Sequence, residues 1–458
     1  MTEEPDVSTD QPSEGAVAPP RPERRPERRT FHGRVLVDDY AWLRDPDDPS
    51  TIPHLEAENA WTERVTAPLA PLRAEIFEEI RRRTQEDDTS VPVRDGDWWY
   101  QRRTGTGLSY PIHVRRRDDG TGTAPTGPEQ VVLDPNELVT DGSYLGIGVL
   151  DVSPDGNWLA YALDFDGDEH HDLRFRDLRT GQDSTESIGG VSYGFAWAAD
   201  SGTCWYTLQD DAYRPNRVLR HVVGTDPADD VEVFRDEDER FHVSVAPSRS
   251  RAVVVVSSDS AVTSESWLLD AHDPSTEPVV VAPREHGVEY SVAHHPTGLM
   301  VVSNHAGAVD FALWRAPVDG TTTSPRADWE CVLPHRPGTR IVGVDAFARH
   351  LVVHGRKDGR TALWRVDPVT GTSGLLHFDE DVATVGPGDN PSFDVDVYRL
   401  TYQSLTTPPS VFDEDLVTGE RVLRKQLPVL DGFDASAYSS ALEWAEAADG
   451  TKVPISIV

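Results

Sequence analysis

The chain has 458 residues, a formal net charge of −36 and two cysteines. The acidity argues against a nucleic-acid partner, because phosphate binding needs an electropositive surface; Cys204 and Cys331 are far apart and outside any CxxC pair, which excludes a disulfide framework or cysteine zinc site and fits a reducing compartment. No apolar run approaches the roughly 18 residues of a membrane span, and the opening MTEEPDVSTDQPSEG is acidic where a secretory leader is basic, so the expected location is cytoplasmic, with no membrane partner.

Residues 1–30 are rich in Pro, Glu, Ser and Arg and read as a disordered tail. Within them RPERRPERR (Arg21 to Arg29) reads as flexible and solvated. Residues 31–90 change character. DDYAWLRDP (Asp38 to Pro46) suggests an extended segment docked on another surface, a helix runs from about Ile52 to Val65, and a second starts near Pro71, a favoured first-turn position. Leu69, Leu72, Ile76 and Ile80 recur at three- and four-residue steps and make one apolar stripe. The repeat C-terminal to these helices is all-β and offers them no obvious seat, so their expected partner is a different domain.

Over residues 91–425 one pattern recurs, clearest in VLDVSPDGNWLAYALDFDGDEHHDLRFRDLRTG (Val149 to Gly181): an alternating strand, a Pro-Asp-Gly turn, a second strand, a polar loop and an aromatic strand. Looser copies start near Gly194, Phe241, Glu289, Ile341 and Ser392, at the period of four-stranded propeller blades. The closing strands carry Phe175, Trp267, Trp314, Trp364 and Phe412 ahead of acidic turns at Asp177, Asp270, Asp319, Asp367 and Asp415. With a first copy at Asp95 to Gly120, the expected fold is an all-β, seven-bladed β-propeller; the alternative is a stack of sheets that does not close.

Residues 426–458 leave the pattern. Ala437 to Ala445 and Val453 to Val458 read as strands joined by a turn at Asp449-Gly450. An apolar hairpin with no sheet to join is an exposed edge that folded proteins avoid, so the expectation is that the chain is the front part of a longer protein or that a partner covers these residues.

DDYAWLRDP with HLEAENAWT (His54 to Thr62), the propeller, SLTTPPSVFDEDLVTGERVLRKQ (Ser404 to Gln426) and AADGTKVPISIV (Ala447 to Val458) together resemble the prolyl oligopeptidase family of serine peptidases, the last two segments most closely its oligopeptidase B branch. The resemblance implies a propeller inserted between an N-terminal segment and a C-terminal α/β-hydrolase domain, with residues 426–458 as the start of that truncated domain. It also implies cleavage of short peptides after Arg or Lys, the propeller limiting access. The Ser, His and Asp of such enzymes come from the hydrolase domain, so no catalytic, cofactor or metal residue is assigned here and the chain alone is expected to be inactive. The expected partners are short peptides and the missing hydrolase domain.

Two local patterns compete with that reading. Gly190-Val191-Ser192-Tyr193-Gly194 satisfies G-x-S-x-G, but polar, turn-like residues precede it and a strand comes after it, where a nucleophile elbow needs a strand and then a helix. DFDGDEHHD (Asp164 to Asp172) gathers carboxylates and imidazoles but lacks the spacing of an EF-hand calcium loop, and reads as a solvated loop. His286, His294 and His295 read as surface residues in loops, and no Gly-rich phosphate loop is present. The functional alternatives are a stand-alone propeller that binds protein partners, and a propeller enzyme with its site in the central channel, for which no residues stand out.

Overall fold

Runs such as Val253–Asp259 (VVVVSSD) and Leu351–Lys357 (LVVHGRK) are β-branched and flanked by turn residues, and they extend into strands. In a computed structural model of the chain, described for residues 18–122, 124–140 and 143–458, two compact units form, one up to Thr84 and one from Gln85.

The first unit holds a hairpin, Glu27–Phe31 with Arg34–Asp38, and two helices, α1 (Thr51–Thr66) and α2 (Ala70–Arg83). Of the expected tail, residues 1–17 lie outside the described residues, while residues 18–30 are ordered by their arginines. Arg25 donates to Asp48 Oδ2 (2.8 Å) and Ser50 Oγ (2.7 Å), and its guanidinium lies 4.4 Å from the centre of the Trp42 ring. Composition counts the apolar surface a segment can bury and misses such forked, stacked contacts. Asp38 to Pro46 is likewise not extended throughout, since Ala41–Arg44 is a 3-10 turn. The stripe on α2 lies open: Leu69, Leu72, Ile76, Phe77 and Ile80 are each about half exposed or more.

The second unit is built of six large antiparallel sheets. The first spans Asp88 to Leu133 in five strands; the third to sixth, with four strands each, span His242–Val280, Tyr290–Leu333, Thr339–Leu375 and Ala383–Gln426. These five stand as single blades, in place of the seven separate blades the repeat predicts. The stretch Gly146 to Arg235, which takes up two sequence repeats, forms one continuous eight-stranded sheet. The reason is local: in strand Ile188–Trp197, Val191 pairs with His171 on one edge and with Leu208 on the other, so no gap opens between the repeats.

The aromatic strands also prove to be third strands rather than closing ones. Each is succeeded, after its acidic turn, by a short outer strand such as Ser373–Leu375 or Arg421–Gln426. The turns work as the residue types imply: Asp367 Oδ1 accepts the N–H groups of Val369 and Thr370, and Asp415 Oδ1 those of Val417 and Thr418. The last copy begins earlier than expected, at Ala383–Pro387, because the loop 388–396 separates its first two strands.

The core lies between sheets. Leu133, Leu145, Leu159 and Tyr161 join the first to the second; Trp205, Val243, Val254 and Leu269 the second to the third. Leu268, Tyr290 and Leu299 continue to the fourth, Met300, Ile341 and Val353 to the fifth, and Phe347, Leu363, Tyr398 and Leu400 to the sixth. The ring then closes on polar groups: Lys425 Nζ reaches Asp88 (2.6 Å), Arg399 Nη1 donates to Pro92 O (2.7 Å), and Ser392 Oγ to Arg94 O (2.9 Å). At the junction of the first two sheets Gly156 sits at φ +74°, and a Cβ there would stand 2.7 Å from Trp98 Nε1; the same Trp98 ring carries the Arg115 guanidinium at 3.8 Å.

Beyond the sixth sheet, Ala441–Glu446 and Lys452–Ile457 form a hairpin that pairs only with itself, with Trp444, Val453, Ile455 and Ile457 exposed. The approach to it is pinned by Glu380, whose carboxylate accepts from Tyr402 OH (2.9 Å), Ser404 Oγ (2.7 Å), Thr406 Oγ1 (2.7 Å), Thr407 Oγ1 (2.5 Å) and Ser440 Oγ (3.4 Å). Despite burial, the hydroxyl donors led by Ser404 hold this carboxyl down to about 2.

Candidate functional site

The first strands of the sheets end in turns, and at that end a cavity of about 740 Å³ opens, lined among others by Asp95, Tyr100, His113, Asp151, Arg249, Arg251 and Asn390. Two arginines from one turn cross it. Arg251 Nη2 donates to Asp95 Oδ2 (2.6 Å) of the first sheet. Arg249 Nε donates to Asn390 O (2.6 Å) in the sixth, and its Nη1 and Nη2 to Ala346 O (3.1 Å) and Asp345 Oδ1 in the fifth. Both arginines stand on the third sheet, which packs on the second and fourth, so contacts with the first, fifth and sixth must span the middle of the ring. Asp345 is shared: its Oδ2 accepts from Tyr398 OH at 2.9 Å.

The cavity is electrostatically mixed. Burial, with Asp95 beside it, pushes the Asp151 carboxyl up to about 7, against the pull of Arg251. Burial, with Arg102 adding, pushes His113 down to about 4. A carboxyl whose folded value lies above its ordinary one of 3.8 penalises the folded state increasingly from about pH 4 to about pH 7 and fully above that. Asp151→Asn is therefore expected to raise stability by on the order of 1–2 kcal/mol at pH 8 and to leave it unchanged near pH 3.5. Urea titrations at both pH values check this; a variant no more stable than the parent at pH 8 contradicts the placement of Asp151 in a poorly solvated site.

The residues singled out in the sequence lie elsewhere. Ser192 is 4% exposed within strand Ile188–Trp197, and the chain continues from it as strand, not helix. The side-chain contacts that the cavity's arginines make are ionic and carbonyl ones.

His294 and His295 are not loop residues. Both end strand Tyr290–His295, His295 is 2% exposed with Nδ1 2.9 Å from Thr297 Oγ1, and burial pushes it down to about 4. Thr297, in the adjoining turn, also donates its N–H to the same ring nitrogen at 3.2 Å. His286 is exposed. In the acidic loop Asp164 is 2% exposed, and its carboxylate accepts the N–H groups of Asp166 (2.9 Å), Gly167 (2.8 Å) and Glu169 (3.0 Å). Its role is to fold the loop.

Sequence reasoning missed Asp95, Asp151, Arg249, Arg251 and Asp345. One signal was available: the turn Ser248–Arg251 reads SRSR where the clear copy reads SPDG, two arginines in place of neutral turn formers.

The description "Prolyl oligopeptidase, N-terminal beta-propeller domain" matches residues 19–427. Dipeptidyl aminopeptidase BI of Pseudoxanthomonas mexicana is 34% identical over 97% of this chain and 62% of its own length. Among solved structures, oligopeptidase B from Leishmania major superposes with a TM-score of 0.87 at 27% identity, over 96% of this chain and 64% of that one. Oligopeptidase B from Trypanosoma brucei, in a closed form with covalently bound antipain, gives 0.86 at 31% identity over the same shares. The chain thus spans about three fifths of the length of the relatives it matches. No helix among the described residues is long and apolar enough to cross a membrane.

Proposed function

The chain belongs to the prolyl oligopeptidase family, whose N-terminal propeller description covers residues 19–427, and from that membership we propose that it is the access-limiting portion of a serine oligopeptidase acting on short peptides, with cleavage after Arg or Lys. The observation that carries the reading is the apolar surface left uncovered outside the six sheets. On α2, Leu72, Ile76, Phe77 and Ile80 are 47 to 62% exposed, and the C-terminal hairpin exposes Trp444, Ile455 and Ile457. A half-exposed apolar stripe of this kind is characteristic of an interaction face. An α/β-hydrolase domain fits both places, with the hairpin extending its sheet and α2 lying against it.

In this reading the hydrolase domain supplies the nucleophile, base and specificity pocket, and the propeller supplies a wall that large substrates cannot pass. A cytoplasmic setting accords with the two free cysteines, buried Cys204 and exposed Cys331.

Peptidase assays on peptides with Arg, Lys or Pro before the scissile bond test the proposal, comparing the 458-residue chain with any longer product of its reading frame. The expected result is activity in the longer product only, strongest after Arg or Lys and abolished by a serine-reactive phosphonate. Activity in the short chain would overturn its expected inactivity and make Ser192 the first suspect. A longer product without peptidase activity, beside a 458-residue chain that captures a protein partner, would favour the stand-alone binding propeller.

A further inference from the structure

Between the fourth and fifth sheets lies a cavity of about 190 Å³, too small for a drug-sized ligand and on the scale of a single amino-acid residue. Phe311, Leu333, Ile341 and Trp364 line it, all of them buried core residues. The lining that reaches solvent is charged, with Arg336 and Lys357 against a single Asp358. That sign runs against a chain of net charge −36. Next to Lys357, Arg340 and Arg356 stand directly opposite each other on paired strands, an arrangement that costs stability. Among the described residues none of these four cations has an ion pair.

The charged rim is built to hold its shape. Arg336 opens a tight turn in which Pro337 and then Gly338, at φ +76°, take the two central places, and the Thr339 N–H closes it on Arg336 O at 3.0 Å. Gly338 O in turn accepts the N–H of Asp358 (2.9 Å), in the turn that carries Lys357. The two cations thus stand on turns tied to each other through the backbone. In the wall, Phe311 holds φ +66°, a left-handed conformation that a bulky residue rarely adopts, and the Arg340 guanidinium lies 4.6 Å from the centre of its ring. Backbone ease is given up where the ring lines the cavity.

An anion bearing one apolar group matches both halves of the lining. The apolar group leaves water for Phe311 and Trp364, and a carboxylate takes charge-assisted hydrogen bonds from a guanidinium and an ammonium. We propose that this cavity seats the C-terminal residue of a substrate peptide, its side chain apolar and its α-carboxylate held by Arg336 and Lys357. That the ligand is a peptide rests on the peptidase reading above; the seat for an apolar carboxylate does not. The turn of Lys357 and Asp358 continues to Gly359, where a Cβ would stand 3.9 Å from the Pro454 side chain of the C-terminal hairpin. The seat therefore adjoins the part of the chain that the peptidase reading gives to the hydrolase sheet. Anchoring there would select peptides with a free, apolar C-terminus over internal segments of a protein.

Binding of acetyl-Ala-Ala-Leu to the 458-residue chain, monitored by ligand-observed NMR, tests it. Saturable binding of the free acid is expected, weakened about tenfold or more in acetyl-Ala-Ala-Leu-amide and about as much when the last residue is Ala. Acetyl-Leu, which carries the terminal residue alone, should bind within about threefold of the tripeptide. Arg336→Gln and Lys357→Gln should each weaken the acid about tenfold and leave the amide unchanged. Arg349→Gln, in the turn at the far end of the strand that starts at Thr339, is the control and should alter neither ligand by more than about twofold.

Bulk charge works against this result, since a net charge of −36 repels the acid and favours the amide. Equal binding of acid and amide therefore overturns the seat. So does absence of binding to the parent, undiminished binding of the acid by Arg336→Gln and Lys357→Gln, or equal binding of the peptide that ends in Ala. Binding of acetyl-Leu with none of the tripeptide would assign the cavity to a free acyl amino acid and overturn the peptide as its occupant. In an active longer product, the same KM for free-acid and amidated substrates ending in Leu would sink the seat's role in substrate choice and leave the peptidase reading standing. Preference for the acid in this chain, with no peptidase activity in any longer product, would do the reverse.

Discussion

Asp230→Ala is expected to cost about 3–5 kcal/mol of unfolding free energy, the largest loss from any single polar substitution in the second sheet. The His221 side chain is fully buried and that of Asp230 only 2% exposed, with Nδ1 2.7 Å from Asp230 Oδ1. Tyr206 OH donates to the other carboxylate oxygen at 2.8 Å, and the imidazole stacks on Phe175 with ring centres 5.3 Å apart.

Removing the carboxylate strands two donors in a sealed interior, and His221 Nε2 already has no partner there. Cys204 pairs with His221 across the strands, so the cluster has the residue types of a cysteine nucleophile, base and orienting acid. Its burial and the thiol, pushed well up by desolvation, make it structural. Urea unfolding of Asp230→Ala checks the cost. The triple variant Tyr206→Phe, His221→Leu, Asp230→Leu should recover most of it, since removing all partners together leaves nothing unpaired. A loss below about 1 kcal/mol in the single variant would mean that water reaches the site and that the desolvation argument fails.

The contrast between what was legible in the sequence and what was not comes down to range. Alternation and turn residues announced the strands, and the spacing of Leu69, Leu72, Ile76 and Ile80 announced α2, because both signals lie within a few residues. The merging of two repeats into eight strands was hidden. It depends on Val191 pairing on both edges, a matter of register between segments some twenty residues apart.

The ordered arginines of residues 18–30 were misread for the same reason. Arg25 is solvated in isolation and becomes fixed only when Trp42, Asp48 and Ser50 arrive. Candidate-site residues were hardest of all. Arg249 and Asp345 are 96 positions apart, and nothing local in either marks the other as its partner.

Arg249→Ala is expected to destabilise the ring by about 2–4 kcal/mol and to do so from its middle. The Arg249 side chain is 20% exposed and Asp345 15%. The substitution would leave Asp345 with Tyr398 alone, free two carbonyl oxygens, and remove a guanidinium lying 4.5 Å from the centre of the Phe347 ring. Arg249→Lys should lose most of the same stability, because one ammonium cannot serve Asn390, Ala346 and Asp345 with the geometry of a planar fork.

The consequence is also spatial. The sixth and first sheets meet through Lys425, Arg399 and Ser392, while Arg249 and Arg251 tie those same two sheets to the third across the cavity. Amide exchange in Arg249→Ala is therefore expected to accelerate first in Ala383–Pro387 and the loop after it, and in Val93–Asp95, while the third-to-fourth sheet junction keeps its protection. Uniform acceleration across all six sheets would instead show that Arg249 contributes only to global stability. In that case the two arginines would not act as a brace between the ends of the ring.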